Sequence, residues 1–467
     1  MNTCIEISIK LFVIFVCLII TSFSAKALNV KQIDTASGIK VWLVEDHKNP
    51  IVTVKFSFSG GTNQDPVKKN GLVYLLSGLL DEGAGELTSK EFQKKLNENS
   101  ISMSFNASRD HFDGSMVTLT ETLDAALDLL TLAINNPRFD PEPVSRVKDQ
   151  IIASIRSVKE KPNGLIGRVW WKGAFGTHPY GFPKKGTEIS IGRITHADLQ
   201  KVRKDLFAKD NLIVGVVGNI SEDQLKLAID RVFGSLSDRS NLKKISNASF
   251  RNHGETIVVK REIPQSVVVF GHEGILRTDP DWFPTLILFE ILSGGFGSRL
   301  TEEIREKRGL TYSVSAYPLP LKNSGLILGS TSTMNGKVKE SMQLLRKIWK
   351  EFSINGPTKE EVANAKSYLK GSYGLQFTNS RSIAGLLVAL QRYGLGVEYL
   401  FNRSKLIDKV TEKQLKRVAK RLFREEQLMF AIIGKPEGVQ PTMPTPITNR
   451  YSLKFNKPLN KQSDVSA

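Results

Sequence analysis

The two halves of this 467-residue chain carry the same landmarks in the same order, and this constrains its fold more than any other feature. Each half has a threonine placed to cap a helix, and each continues into a short apolar strand. The matched segments are 194–199 with 410–415, 212–218 with 428–434, and 65–66 with 279–280, at separations of 216, 216 and 214 residues. Separations that are this nearly constant predict an internal duplication, because loop insertions account for the small differences between them.

Each half predicts the same α+β succession of strands, a helix, more strands, long helices, and then a helix with a closing strand. Val52 to Phe58 alternates like a half-buried strand, and Ser266 to Phe270 takes that place in the second half. A polar stretch separates the halves, and another polar stretch, expected to pack loosely, ends the chain. The predicted divisions are a first domain 28–237, a linker 238–254, a second domain 255–440 and a tail 441–467.

Residues 1–27 have the form of a signal peptide. A polar start ending in Lys10 precedes the apolar run 11–20, and Ala25 and Ala27 place small residues at a signal-peptidase site. The apolar run is too short to span a bilayer as a mature anchor, and an uncleaved anchor is the alternative. We therefore expect cleavage near Ala27, export to a bacterial periplasm, and no stable membrane insertion after cleavage.

The composition is that of a globular chain, with 40% hydrophobic and 24% charged residues. Cys4 and Cys17 are its only cysteines and lie within the predicted signal peptide, so the mature chain offers no disulfide and no cysteine metal site. Removal of Lys10, Lys26 and Glu6 with the signal peptide changes the formal net charge from +18 to +17. The basic residues are spread along helical stretches without a nucleic-acid motif, which predicts a solvated basic surface and no nucleic-acid partner.

Two groups of motifs resemble one known family. In the first half they are the Thr-His-Pro-Tyr-Gly segment 177–181 and the segment 194–199, which precedes the strand 211–219. In the second half a glycine-rich run, 294–300, leads into the segment 304–313. This pattern is similar to that of the insulysin and mitochondrial processing peptidase family of zinc metallopeptidases, over about residues 30–435. The resemblance implies an α+β fold of two homologous α/β-roll domains that form half of a clamshell around an enclosed peptide chamber.

Active members of that family carry an inverted zinc motif, His-x-x-Glu-His, on a helix near the N-terminus. Histidines four apart share a helix face and can bind one Zn²⁺, the glutamate activates the bound water, and a downstream Glu completes the site. By resemblance the histidine positions are Tyr74 and Gly78, the base position is Ser77, and the last ligand position is Ser154. These positions lie on helices predicted over 71–80 and 147–155. All four have lost the required chemistry, which implies that this chain binds no metal.

No other catalytic constellation replaces the lost one in the sequence. The six histidines include no pair four apart, and the sequence contains no Gly-x-Ser-x-Gly elbow and no nucleotide-binding loop. The nearest cluster is His111 with Asp110 and Asp113 in the strand-like stretch 101–119, which we interpret as an exposed polar strand face. His178 belongs to a predicted turn, where a structural role is expected.

The second half keeps more of the family pattern. In active members an Arg and a Tyr seven residues apart reach across the chamber to bind substrate near zinc, and by resemblance Arg305 and Tyr312 match that pair. An Arg gives charge-assisted hydrogen bonds to a carbonyl or oxyanion, and a phenol adds a neutral donor. The alternatives are a helix-surface charge for Arg305 and a core strand residue for Tyr312. Gly294, Gly295 and Arg308 surround the pair, and the glycine run either leaves amides free for a peptide or partner or simply connects two helices.

Three hypotheses follow for the function. In the first, the chain is the non-catalytic subunit of a heterodimer that cleaves unfolded peptides: a homologous partner holds the zinc, and Arg305 and Tyr312 of this chain help to bind the substrate. In the second, it is an inactive peptide-binding or regulatory clamshell without a catalytic partner. In the third, it is a self-sufficient peptidase with an unorthodox site, which the lost zinc ligands disfavour. We adopt the first hypothesis, in which zinc belongs to the partner alone.

Overall fold

The computed structural model describes residues 28–446. The predicted signal peptide, 1–27, and the last part of the predicted tail, 447–467, lie outside the described residues. Within residues 28–446, no helix is both long enough and apolar enough to cross a membrane. The chain folds around two β-sheets, one in each half of the sequence.

The first sheet has six strands in the order β1-β2-β6-β3-β5-β4, and the second has five in the order β7-β11-β8-β10-β9. The strands of the first sheet are β1 (Lys31–Asp34), β2 (Lys40–Glu45), β3 (Ile51–Ser59), β4 (Ser102–Ala107), β5 (His111–Leu119) and β6 (Leu212–Gly218). Those of the second are β7 (Thr256–Lys260), β8 (Gln265–Glu273), β9 (Val314–Pro320), β10 (Gly325–Met334) and β11 (Met429–Gly434).

The two sheets share one topology. In each, a single parallel pair, β2 with β6 or β7 with β11, lies beside an antiparallel strand, β3 or β8. A hairpin then completes the sheet, β4 and β5 in the first and β9 and β10 in the second. The first sheet differs only by the additional edge strand β1, which pairs with β2. The predicted α+β duplication is therefore confirmed.

Helices lie between corresponding strands in both halves, and within residues 28–446 the first half has one more helix after its last strand. The first half contains α1 (Leu72–Ser77), α2 (Ser89–Glu98), α3 (Leu123–Asn135), α4 (Pro141–Glu160), α5 (Pro162–Phe175), α6 (Glu188–Gly192), α7 (His196–Leu206) and α8 (Glu222–Phe233). The second contains α9 (Trp282–Ser293), a π-helix (Thr301–Glu306), α10 (Val338–Asn355), α11 (Lys359–Gly371), α12 (Ser380–Arg392), α13 (Tyr399–Asp408) and α14 (Glu412–Leu422). Thr195 and Thr411 begin α7 and α14 with capping boxes, as predicted.

Each half covers a face of the other half's sheet with one of its helices. Helix α5, from the first half, packs its Trp170 against the second sheet in a buried cluster with Met429 and Ala431. Helix α12, from the second half, packs its Leu387 against the first sheet in a cluster with Trp42. Because each sheet needs a helix from the other half to bury its second face, the halves are interlocked.

The segment 238–254, predicted as a linker, contains no helix or strand, and part of it is buried between the halves. Its Ala248 donates a backbone hydrogen bond to Asn323 O of the second half, over 2.9 Å. Its Arg251 donates one to Ala174 O of the first half, over 2.8 Å. Phe250 is buried in the cluster that contains α5. The segment therefore contributes to the packing of the two halves.

Asp110 is a second junction between the halves, and the interpretation of its cluster as an exposed strand face is wrong. The stretch 101–119 forms two strands, β4 and β5, and Asp110 in the turn between them is only 5% exposed. Its carboxylate accepts hydrogen bonds from the Tyr180 hydroxyl at 2.6 Å, Asn63 Nδ2 at 2.9 Å and the backbone amide of Lys322 at 3.0 Å. Burial and the Asp110 carboxylate raise the pKa of Tyr180 well above its usual range. The tyrosine of the Thr-His-Pro-Tyr-Gly segment thus anchors a contact between the halves.

Replacement of Asp110 by asparagine is expected to lower the free energy of unfolding by about 3 kcal/mol, because an amide leaves at least one of the three buried donors without an acceptor. Urea denaturation of the mature chain measures this effect. Asp124→Asn is the matched control, since that carboxylate is 93% exposed in its ion pair with Arg231; its expected effect is below about 0.5 kcal/mol. Equal stability of both variants would contradict the assigned role of Asp110.

Candidate functional site

The four positions matched by resemblance to the zinc ligands and base of active relatives line one cavity. Tyr74, Ser77 and Gly78 on or just after α1, and Ser154 on α4, line a space of about 290 Å³, called below the α1–α4 cavity. Helix α1 ends at Ser77, earlier than the predicted 71–80, and Gly78 forms its C-terminal cap. The four positions therefore lie at one cavity, and the helix is shorter than predicted.

The start of α1 is fixed by a half-buried carboxylate. Asp65 accepts hydrogen bonds from the backbone amides of Gly71 at 2.6 Å and Val73 at 2.9 Å. Burial raises the pKa of Asp65 to about 7, although the backbone amides at the helix start act in the opposite direction. These hydrogen bonds satisfy backbone amides at the start of α1, so the helix is held in place without a Ser or Thr N-cap.

A lysine side chain enters the α1–α4 cavity. The Lys185 ammonium donates a hydrogen bond to Ser154 Oγ at 2.7 Å and lies 5.5 Å from the centre of the Tyr74 ring. Two glycines bring its loop against the start of α1: a side chain at Gly71 would collide with Lys185 O, and one at Gly186 would collide with Asn70 O. Sequence reasoning missed Lys185, because a lysine on a loop has no spacing relation to the helix positions it reaches.

The residues of the α1–α4 cavity do not fit zinc. Ser77 Oγ donates to Tyr74 O at 2.7 Å, Gly78 has no side chain, and Ser154 is bonded to the Lys185 ammonium. Glu82, whose side chain lines the cavity, forms a salt bridge with the Arg146 guanidinium. Within residues 28–446 no three His, Cys, Asp or Glu side chains are grouped so as to hold a metal ion. A fixed ammonium in place of imidazole and carboxylate ligands repels a divalent cation.

Arg305 and Tyr312 lie on the surface of the second half. Tyr312 is 84% exposed in the segment before β9, so the alternative of a core strand residue is wrong. The adjacent Thr311 is buried and fixes this segment through a hydrogen bond from its Oγ1 to Ser332 O at 2.6 Å. Arg305 is on the π-helix, a type of helix turn that is frequent at functional sites. Its guanidinium lies 5.2 Å from the centre of the Phe296 ring, and its Nε is 3.3 Å from Glu306 Oε1.

The other predicted residues around this pair have distinct places. Gly294 caps α9, where a side chain would meet the Glu290 carboxyl group. Gly295 has a φ of +150°, which favours glycine, and the run presents Phe296 at 78% exposure. Arg308 is bound within its own segment, since its Nη1 donates to Glu303 Oε2 at 2.6 Å. The large exposed hydrophobic side chains of this region are therefore Phe296 and Tyr312, and Arg305 beside Phe296 is half-exposed.

Within residues 28–446 the two sets of predicted residues stay apart. The lining of the α1–α4 cavity includes neither Arg305 nor Tyr312. The cavity opens beside Phe105 and Asn106 of β4, the edge strand of the first sheet. The chain thus presents an altered metal-site cavity with a free sheet edge in one half and an exposed Arg–Tyr pair in the other.

Comparisons with known proteins give the family. The insulinase (peptidase family M16) model matches residues 40–183, and the model described as the peptidase M16 inactive domain matches residues 193–369. A protein of Helicobacter pylori named a non-peptidase homologue, YmxG, is 27% identical over 413 residues, which cover 88% of this chain and 95% of that protein. A Bacillus subtilis protein named an uncharacterized zinc protease, YmxG, is 23% identical and is matched over its whole length and 88% of this chain.

Solved structures agree with the sequence comparisons. A crystal structure described as a peptidase M16 inactive domain, from Pseudomonas fluorescens, has a TM-score of 0.82 and 27% identity, covering 89% of this chain and 100% of that one. A Helicobacter pylori protease structure shares the fold at a TM-score of 0.78 and 19% identity, covering 87% of this chain and 99% of that one. The two family models together span more than half of the chain. The chain therefore belongs to the M16, insulinase-like metallopeptidase family, as a homologue of its inactive type.

Proposed function

We propose that this protein is the non-catalytic subunit of a heterodimeric zinc peptidase that degrades or processes unfolded peptides. A homologous partner would hold the zinc and its activated water, and this chain would supply the other half of the peptide chamber. The first support is the α1–α4 cavity, where Lys185 bonds Ser154, no histidine or cysteine is among the lining residues, and the carboxylate of Glu82 is paired with Arg146. Hydrolysis by this family's chemistry therefore needs a second chain.

The observation that carries the proposal is the exposure of the Arg–Tyr pair. Tyr312 is 84% exposed and Arg305 is half-exposed, although the segment between them is fixed to the body of the domain. The side chains of Phe296 and Tyr312 are 78% and 84% exposed, which leaves both aromatic rings accessible to a peptide or a partner chain. Donors placed this way can bind the carbonyl or developing oxyanion of a peptide held in the partner's active site.

The edge strand β4 offers a way to hold the peptide. Its outer edge has no neighbouring strand in the described residues, and its Phe105 and Asn106 line the α1–α4 cavity. An extended peptide can add to such an edge through main-chain hydrogen bonds, with little dependence on its sequence. A peptide bound there would pass the Lys185 ammonium, which can donate to a carbonyl but cannot hydrolyse it.

Lys185 also supports a second candidate, an inactive peptide-binding clamshell without a catalytic partner. In that case the ammonium would hold a peptide carbonyl in the place where active relatives polarise it with zinc. The two candidates differ in whether a zinc-bearing homologue accompanies this chain.

Co-purification separates these candidates. The mature chain, isolated from its native exported fraction without crosslinking, is expected to bring a homologous chain with an intact His-x-x-Glu-His motif in equal amount. Mass spectrometry identifies the partner and metal analysis locates its zinc. Isolation of this chain alone or only as a homodimer, from cells that also make such a homologue, would contradict the subunit proposal and favour the second candidate.

We also propose that the protein is exported to the periplasm and that its mature form begins at Leu28. The basis is the short apolar run 11–20 followed by Ala25 and Ala27. N-terminal sequencing of the native protein is expected to give Leu28 as the first residue. A native chain that begins at Met1 would contradict this proposal.

A further inference from the structure

The α1–α4 cavity is one end of a longer groove. Lys185 lines both this cavity and a second one of about 260 Å³. Arg109, Trp171 and Lys184 line the second cavity and also a third, of about 440 Å³, that lies between the two halves. The three cavities therefore adjoin one another through shared lining residues and are together called below the basic groove.

The basic groove carries an excess of positive charge. Seven cations line it; they are Arg109, Arg168, Lys184, Lys185, Arg277, Lys322 and Arg392. Within residues 28–446, Arg109, Lys184, Lys185, Arg277 and Lys322 form no salt bridge to a carboxylate, and Arg392 is paired with Asp113. The carboxylates that line the three cavities are Glu82 and Asp110, and the hydrogen bonds of Asp110 to neutral donors leave its charge in place. Because the cations outnumber these carboxylates and Asp113 together, the groove keeps a net positive charge.

Neutral partners hold these cations in place. The Arg109 guanidinium stacks 3.5 Å from the centre of the Trp171 ring and donates from Nε to Tyr180 O at 3.3 Å. Arg277 donates from Nη2 to the Tyr399 hydroxyl at 2.9 Å. Such contacts fix the direction of a guanidinium but leave its charge free to act on a ligand.

The pKa values of two groups in the groove, Arg109 and His111, are shifted by their surroundings. Burial lowers the pKa of Arg109 to about 10, which leaves it charged at neutral pH. Burial, and then the charges of Arg392 and Lys322, lower the pKa of His111 to about 3, so its imidazole stays neutral. A groove that keeps its histidine uncharged and its arginine charged attracts anions across the whole neutral range.

We propose that the basic groove binds the acidic side chains of an extended polypeptide segment. This inference rests on the proposed peptide-handling function and adds a substrate class to it. Arginine forks and lysine ammonium groups match carboxylates, and binding of carboxylates relieves the repulsion among the cations. The groove begins at the cavity beside edge strand β4, so a peptide added to that edge can continue into it. Its three side-chain-sized cavities suit separate carboxylates along one chain.

Fluorescence anisotropy of the mature chain tests the inference with matched peptides. One labelled peptide carries several glutamates in an unstructured sequence, and the other has glutamine at the same positions. The glutamate peptide is expected to bind about tenfold or more tightly than the glutamine peptide, and the difference should shrink as salt rises from about 0.05 to about 0.5 M.

Two exposed lysines allow a variant that keeps the fold. Lys184→Gln with Lys322→Gln removes two charges from the groove and is expected to weaken binding of the glutamate peptide about tenfold, without changing binding of the glutamine peptide. Lys409→Gln with Lys413→Gln, on the exposed surface around the start of α14, is the matched control and should leave both affinities unchanged. Equal melting temperatures establish that the variants are folded.

Three outcomes would overturn the inference. They are equal or absent binding of the two peptides, an equal loss in the control variant, and tighter binding of single-stranded DNA than of the glutamate peptide at the same groove. None of them bears on whether a zinc-bearing chain co-purifies, so the subunit proposal would stand or fall separately.

Discussion

We expect the combined change of Arg305→Ala and Tyr312→Phe to lower peptide turnover by the reconstituted heterodimer by about 10²–10³-fold, with little change in assembly. Arg305 and Tyr312 present donors from the surface of the second half, and the buried Thr311 fixes the position of the tyrosine. Removal of a donor aimed at a transition-state oxygen slows the chemical step, whereas the rest of the surface is unchanged. Turnover is measured on an unstructured peptide, with assembly followed by size-exclusion chromatography.

Two neighbouring side chains provide the matched control. Lys307→Ala and Tyr317→Phe remove one charge and one hydroxyl from the same surface, where Lys307 is paired with Glu303 and Tyr317 is 46% exposed. This control is expected to keep turnover within about twofold. Full activity of the Arg305→Ala, Tyr312→Phe variant would mean that this chain only supports its partner structurally. Loss of assembly in that variant would instead assign the pair to the subunit interface.

Restoration of the family ligands is expected to create a zinc site only if Lys185 is removed as well. The variant Tyr74→His, Ser77→Glu, Gly78→His and Ser154→Glu supplies the missing chemistry, but the Lys185 ammonium lies against two of these positions. A unit charge beside Zn²⁺ costs several kcal/mol, so adding Lys185→Gln should tighten zinc binding by at least about 10²-fold. The wild-type chain should contain well under one zinc.

Metal analysis after dialysis against a zinc buffer measures these differences. Histidine at Tyr74 and Gly78 alone, without carboxylates at Ser77 and Ser154, should give no peptidase activity. A histidine at Gly78 also needs Val147 to move slightly, since a side-chain carbon there would lie 3.2 Å from Val147 Cγ1. Stoichiometric zinc in the four-residue variant that retains Lys185 would contradict the role given to that lysine.

The sequence predicted those features that depend on local pattern or on spacing within one element. The capping threonines Thr195 and Thr411 begin helices because a side-chain oxygen bonds an amide three residues away. The family pattern predicted Tyr74 and Gly78 on one helix and Ser154 on another; Tyr74 and Ser154 lie on helices, and Gly78 is the C-terminal cap of the first. The nearly constant separation of the repeated segments likewise corresponds to two sheets with the same topology.

Features that depend on which elements pack together could not be predicted. The apolar stripe of α5 shows that the helix is buried, but not that Trp170 packs on the other half's sheet. In the sequence, Asp110 has the pattern of an exposed polar residue. Its role depends on hydrogen bonds donated by Tyr180 and Lys322, which are distant from it in the sequence. Lys185 reaches Ser154 only because two glycines bring its loop against α1.

Peptide turnover is measured with this chain alone, with the zinc-bearing homologue alone and with the two mixed. If this chain is the non-catalytic subunit, we expect no zinc-dependent cleavage by this chain alone, little by the homologue alone, and full activity in the equimolar mixture, abolished by a chelator. Chelator-sensitive cleavage by this chain alone, with one zinc bound, would contradict the subunit proposal. A homologue whose turnover is the same with and without this chain would contradict it equally.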